Sequence, residues 1–143
     1  MGRVFQYEGE RIVVTYDVKR CIHAKACVHG LGAVFDPDRR PWVTPDEADP
    51  DEVAQVVKRC PTGALHYRRT DDGNEESPPE KASIRIEPSG PLWVEGAVEL
   101  VDADGGVRWR DTRLALCRCG ASKNKPFCDN SHETIDFTTE PPL

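Results

Sequence analysis

Apolar residues recur along this chain in two rhythms, and each marks a different kind of element. From Val53 onward the apolar positions are Val53, Val56, Val57 and Cys60, the three- and four-residue spacing of one helical face. Asp49 before Pro50 supplies a cap and a first-turn proline, and Glu52 completes a capping box. Lys58 and Arg59 suit the negative end of the helix dipole, Pro61 stops the helix, and Gly63 allows a tight turn. The predicted helix therefore carries Cys60 on its buried face, at its end.

Elsewhere the period is two. Ile84 and Ile86 alternate with Arg85 and Glu87, as on a strand with one covered face. Short β-like runs at 82–87, 92–96, 98–102 and 107–109 are punctuated by Pro88, Ser89, Gly90 and Pro91 and by Asp104, Gly105 and Gly106. Near the N-terminus, runs at 4–7 and 11–16 predict a hairpin across Glu8, Gly9 and Glu10, although alternation lapses at Ile12, Val13 and Val14. A further strand is expected at 64–67. Residues 68–81, RRTDDGNEESPPEK, are almost without apolar side chains and predict a linker with its charges in water. The expected organisation is a domain at 1–70, a linker at 71–81 and a domain at 82–143.

Composition narrows the function. A chain of 143 residues holds one ordinary domain or two small ones, and units this small lean on metals or partners for stability. Twelve prolines, eleven glycines and a mean hydropathy of −0.59 describe a loop-rich chain. A net charge of −6 argues against nucleic acid and anionic membranes. No apolar run approaches membrane-spanning length, and the first residues lack a signal peptide's apolar segment. A soluble, cytoplasmic protein is expected, where six cysteines are better read as ligands than as disulfides.

The densest chemistry lies at 116–132, LCRCGASKNKPFCDNSH. Cys117 and Cys119 can reach one metal or two adjacent metals only through a sharp turn, which Gly120 permits. Pro126 fixes a backbone angle ahead of Cys128, Asp129, Asn130 and Ser131 favour a turn and a helix start, and His132 follows Cys128 by four residues. That spacing predicts both side chains on one helical face. Thiolates with one imidazole suit zinc or an iron–sulfur cluster. Cys117, Cys119, Ser122, Pro126, Cys128, Asp129, Ser131 and His132 stand in the register of the CDGSH iron–sulfur domain, which this stretch resembles. The one departure is Asn130 in place of Gly, and Asn tolerates a left-handed backbone. The resemblance implies a 2Fe–2S cluster on Cys117, Cys119, Cys128 and His132, a β-cap made by the preceding strands, and a homodimer.

A second group consists of Cys21, Cys27 and the pair Cys60–Pro61, with Val34, Phe35 and Asp36 between them. Over about residues 13–67 the chain resembles a single-cluster bacterial-type ferredoxin in which the middle cysteine position is Ala24. Three thiolates imply a 3Fe–4S cluster. His23, one residue from the vacant position, is the candidate fourth ligand of a 4Fe–4S alternative, and the three-thiolate form is favoured. His29 and His66 read as surface or supporting groups.

The fold class expected is α+β, a small ferredoxin-like cluster domain followed by a CDGSH β-cap and a cluster-binding loop and helix. No activated nucleophile, phosphate loop or carboxylate pair points to an enzyme. The expected function is one-electron transfer with a redox partner protein, electrons running from the ferredoxin-like half toward the His-ligated centre, whose potential the imidazole raises. The alternative is a carrier or redox and pH sensor that passes a labile 2Fe–2S cluster to an apo-acceptor, since a protonated imidazole cannot bind iron. Lys123, Lys125 and Arg118 read as solvated loop charges that could also favour a reduced cluster.

Overall fold

A computed structural model describes residues 4–139, so the outermost parts of the two expected domains, 1–3 and 140–143, lie outside the described residues. The chain divides into two compact units. The first runs up to Cys60 and resumes over Ala64–Glu76; the second comprises Pro61–Gly63 and everything from Ser77. Each contains a three-stranded antiparallel sheet with short helices, a mixed α+β arrangement.

In the first unit β1 (Val4–Glu8) and β2 (Ile12–Asp17) form the expected hairpin, and β3 (Leu65–Arg69) pairs with the other edge of β2. Ile12, Val13 and Val14 are all buried, which explains the lapse in alternation: a central strand covered on both faces reads as a continuous apolar run. Next comes α1 (Ala26–Gly30), and then α2 (Pro50–Lys58), whose first turn is capped by the Asp49 carboxylate accepting the Asp51 amide at 2.9 Å. Val53, Val56 and Val57 of α2 join Ile12, Val14, Val34, Phe35, Val43, Leu65 and Tyr67 in one core, with Cys27 and Cys60 packed at its edge.

The charged stretch 68–81 departs from the expectation. Rather than standing in water, its first part folds back on β3. Arg69 is buried, and its guanidinium donates to both Asp71 carboxylate oxygens at 2.8 Å and to Asp51 at 2.7 Å. Glu76 meets the His66 ring at 2.8 Å and accepts the Tyr67 amide. A stretch with no apolar residue can still be ordered when a buried cation needs its carboxylates. The Arg69 guanidinium, with the Gly73 amide, holds the Asp71 carboxyl well below the usual carboxylate range. Its contribution is therefore whole at neutral pH and fades as pH falls through the ordinary value of about 3.9 toward the depressed folded one. Asp71→Asn should lower the denaturant midpoint of the first unit at pH 7 and flatten its decline in acid. An unchanged acid decline in that variant would remove Asp71 from the account.

In the second unit β4 (Ser83–Ile86), β5 (Leu92–Val101) and β6 (Val107–Leu116) are ordered β4–β5–β6. The runs expected at 92–96 and 98–102 are one strand, interrupted by a register shift between Glu95 and Val98 where Gly96 takes φ 139°. A glycine at a bulge lets the strand bend and continue. β6 outruns the expected 107–109 by seven residues because its middle, Arg110 to Arg113, is polar. There it is held by cross-strand partners, such as Arg110 to Glu99 at 2.8 Å, rather than by an apolar face. The buried hydrophobic core here consists of Val94, Leu114, Ala115 and Cys128. After it comes α3 (Ser131–Thr134). Among the described residues no helix is long and apolar enough to cross a membrane.

Candidate metal centres

The length of β6 positions the first site, because the strand runs directly into Cys117. Beyond the turn the chain returns alongside it: the Cys117 amide donates to Pro126 O at 2.8 Å, the Cys128 amide to Ala115 O at 2.7 Å, and Leu116 bridges Phe127. Cys117 and Cys128 thereby become neighbours across a short antiparallel ladder. Gly120, at φ 85°, reverses the chain behind Cys119. Buried Ser122 ties the loop from inside, its hydroxyl donating to Phe127 O at 2.6 Å and accepting the Asn124 amide at 3.0 Å. The Asp129 carboxylate accepts the Lys123 amide at 2.9 Å and the Ser131 amide at 3.0 Å.

Cys128 and His132 do not share a helical face. Cys128 precedes α3, and the left-handed turn at Asn130, φ 71°, brings the two together. This is the conformation that Asn accepts in place of Gly. The four donors fall into two pairs: Cys117 Sγ lies 3.9 Å from Cys119 Sγ, and Cys128 Sγ lies 3.7 Å from His132 Nδ1. A tetrahedral metal with sulfur at about 2.3 Å and nitrogen at about 2.0 Å sets two thiolates about 3.8 Å apart, and a thiolate and imidazole about 3.5 Å apart. Each pair thus matches one edge of one tetrahedral metal. All four residues line a single narrow recess, together with Gly90, Pro91 and Ser122. The donor set and its pairing fit a two-metal core.

Electrostatics separate the sulfurs. Burial alone would raise the Cys117 thiol, but amides of Ser122 and Gly120, the neighbouring Cys119 and the Lys125 charge outweigh it and bring the thiol below its ordinary value. Burial raises Cys128, aided by Asp129 and the other two thiols and opposed by the Asn130 amide. Further amides point at sulfur, Ala121 to Cys119 and Asn130 to Cys128, each at 3.4 Å.

The first unit gathers the other three cysteines. A short 3₁₀ turn, Val18–Arg20, capped by Asp17, leads into Cys21. Left-handed backbone at His23 and Lys25 curls the next residues, and the His23 amide donates to Cys21 Sγ at 3.4 Å. Cys27 sits on α1, and Cys60 follows α2 with its amide on Val57 O at 3.1 Å. The Cys27 thiol is pushed up to about 11 by burial first, with Cys60 and Cys21 close enough to add to it. The Cys27 thiol thus lies within electrostatic reach of both Cys60 and Cys21. Ala24 is exposed, and so is His23, whose contact with the group is made by its amide. Tyr16 packs beside them, its hydroxyl held well above the ordinary range by burial and by Cys21 and Cys27.

Comparison with known proteins finds iron–sulfur families over the two stretches that carry the cysteine groups. A model described as a divergent 4Fe–4S mono-cluster matches residues 7–70, and one described as an iron-binding zinc finger of CDGSH type matches 89–133. The chain is also similar to the uncharacterised protein YjdI of Escherichia coli strain K12, 45% identical over 62 residues, which are 43% of this chain and 82% of the relative. YjdI of strain O157:H7 matches to the same extent. The chain belongs to the divergent 4Fe–4S mono-cluster family, with a CDGSH-type domain joined to it.

Within this iron–sulfur chain one residue plays a part that its position did not suggest. Arg118, between two candidate ligands, is not a solvated loop charge. Its Nε donates to Gly90 O at 3.0 Å, its Nη2 to Glu87 O at 2.6 Å, and its guanidinium lies 5.6 Å from the centre of the Phe137 ring. No pattern in the sequence marks these contacts, because two of the three partners are main-chain carbonyls about thirty residues away. His66, expected as a supporting group, pairs with Glu76, and His29 is exposed.

Proposed function

We propose that this chain is an electron-transfer protein, not an enzyme, with two iron–sulfur centres and a redox partner protein. Cys117, Cys119, Cys128 and His132 hold a 2Fe–2S cluster. Cys21, Cys27 and Cys60 hold the other, 3Fe–4S on three thiolates or 4Fe–4S if His23 supplies the fourth ligand. The observation that carries the reading is the two ligand pairs at 3.9 and 3.7 Å, each the edge of one tetrahedral metal, opening on one recess. Iron–sulfur clusters, when bound, accept and return single electrons. The chain's part is to hold the donors and to aim amides at their sulfurs, which tunes potential.

Anaerobic purification with iron and acid-labile sulfide analysis tests this, followed by EPR of the oxidised and reduced protein. A coloured protein with sulfide is expected. An EPR signal in the oxidised state means 3Fe–4S at the first site, as the three-thiolate set favours. Silence until reduction, with iron and sulfide beyond what the 2Fe–2S centre accounts for, means 4Fe–4S, as the matched family's description favours. Zinc without sulfide would overturn the whole reading.

A second reading, a carrier that hands its 2Fe–2S cluster to an apo-acceptor, is favoured by the four-residue helix that bears His132, none of whose residues is buried. His132→Cys replaces the imidazole with a softer, anionic donor, so it should slow loss of the 2Fe–2S absorbance to EDTA and shift that centre to a more negative potential. Unchanged loss and potential would remove His132 from the ligand set.

The same proposal includes a homodimer through the β-cap. Ile84, 64% exposed, and Val101, 55% exposed, leave apolar surface on a sheet with little interior of its own. Light scattering should give twice the chain mass, and Ile84→Asp should return it toward the monomer. A monomeric wild-type chain would remove this part.

A further inference from the structure

The recess that gathers Cys117, Cys119, Cys128 and His132 has a wall that contributes no ligand. Gly90 and Pro91, at the end of the turn between β4 and β5, line it together with the cysteine loop. That turn is bound to the ligand-bearing segments at two separate points. Arg118, flanked by two candidate ligands, donates to the carbonyls of Gly90 and Glu87. Ser89 exchanges two hydrogen bonds with Thr139: the Ser89 amide donates to Thr139 Oγ1 at 2.9 Å, and the Thr139 amide donates to Ser89 Oγ at 3.2 Å. Residues 135–139 follow directly on α3, with the Phe137 amide on His132 O at 3.2 Å, and the Phe137 ring packs on the Arg118 guanidinium. One cation therefore joins the Cys117–Cys119 limb, the turn and the segment behind His132.

The turn does not hold its own shape freely. Ser89 has φ 54°, a left-handed conformation that is unfavourable for a non-glycine residue. A side chain at Gly90 would meet the Glu87 side chain at 2.7 Å. A conformation of this kind persists because contacts around it impose it.

We propose that the 87–91 turn is a gate on the second site. Arg118 acts as a positioning residue that holds it shut, and the Ser89–Thr139 pair acts as its latch, so that opening of this wall limits the rate at which the site's contents leave. The proposal rests on the reading that the site holds a 2Fe–2S cluster. It adds which of the chain's own residues control exchange, and none of the gate residues is a ligand.

The test uses the full chain with its clusters in place. Loss of the 2Fe–2S visible absorbance is followed after adding excess EDTA, with the absorption spectrum recorded beforehand. Arg118→Ala should leave the starting spectrum unchanged and speed the loss by about tenfold or more, the effect of removing at least one hydrogen bond from the closed form. Arg118→Lys keeps the charge but not the planar fork, so it should also lose its cluster fast. Thr139→Val and Ser89→Ala, both outside the buried core, should each speed the loss severalfold, and they keep the test available if Arg118→Ala does not fold. Wild-type rates in both latch variants, or full rescue by Arg118→Lys, would overturn the gate. A wild-type chain that binds no cluster would instead overturn the functional reading beneath it.

Discussion

Cys128→Ser should abolish the second centre, removing its visible absorbance and its share of iron and sulfide while the first centre keeps its own. Cys128 is the most buried of the six cysteines, 4% exposed, and it joins both halves of the ligand set. Its amide is fixed to Ala115 O on β6 and its sulfur lies 3.7 Å from His132. A serine oxygen in its place is a harder donor and stays protonated at neutral pH, so one metal would lose half of its protein ligands. Because metal-binding free energy is folding free energy in sites of this kind, the second unit should also lose thermal stability. Its buried hydrophobic core is small enough for that loss to be visible. The measurement is iron per chain together with the melting profile. Full iron content in the serine variant would show that Cys128 is not a ligand.

Phe35→Ala should be the most damaging single change in the first unit. Phe35 is 0% exposed and lies 5.9 Å, ring to ring, from Trp42, inside the core against which Cys27 and Cys60 pack. Truncating a buried phenylalanine costs about 3–5 kcal/mol, against a total of about 5–15 kcal/mol for an ordinary domain. The same truncation loosens the packing that presents two of the three candidate thiolates. The expected result is a large drop in the denaturant midpoint reported by Trp42 fluorescence, with early loss of the first centre's absorbance. A shift of less than about 1 kcal/mol would mean that the core collapses around the vacancy.

Several features of the fold and sites were legible in the residues themselves. The α2 helix shows its cap at Asp49, its proline at Pro50 and its apolar stripe within ten residues, and the structure places it where those signals do. The β1–β2 hairpin was legible from two β-rich runs joined by a short loop with Gly9, and the position of β4 from local alternation. Asn130 takes the left-handed backbone that its substitution for glycine requires. The matches at 7–70 and 89–133 fall on the two cysteine groups that the spacing singled out.

Other features were hidden because their cause lies elsewhere in the chain. The polar middle of β6 carries no strand signal of its own, and only β5 beside it makes Arg110 to Arg113 a strand. The run expected at 92–96 ends on Gly96, yet that residue serves as a bulge within one long strand. Asp71 and Glu76 look like solvated linker charges until Arg69 and His66 are seen to need them.

The donors themselves follow from residue identity and spacing: six thiols and an imidazole, gathered in two groups, with turns at Gly120 and Asn130 to bend the chain around them. Which of these side chains become neighbours was decided only in the folded chain. The 3.9 and 3.7 Å pairs are set by local turns, but the approach of Cys117 to Cys128 depends on main-chain hydrogen bonds between the end of β6 and residues 126–128, and backbone pairing carries no side-chain signature. The same holds for Arg118, whose hydrogen bonds end on carbonyls about thirty positions away that any residue could have offered.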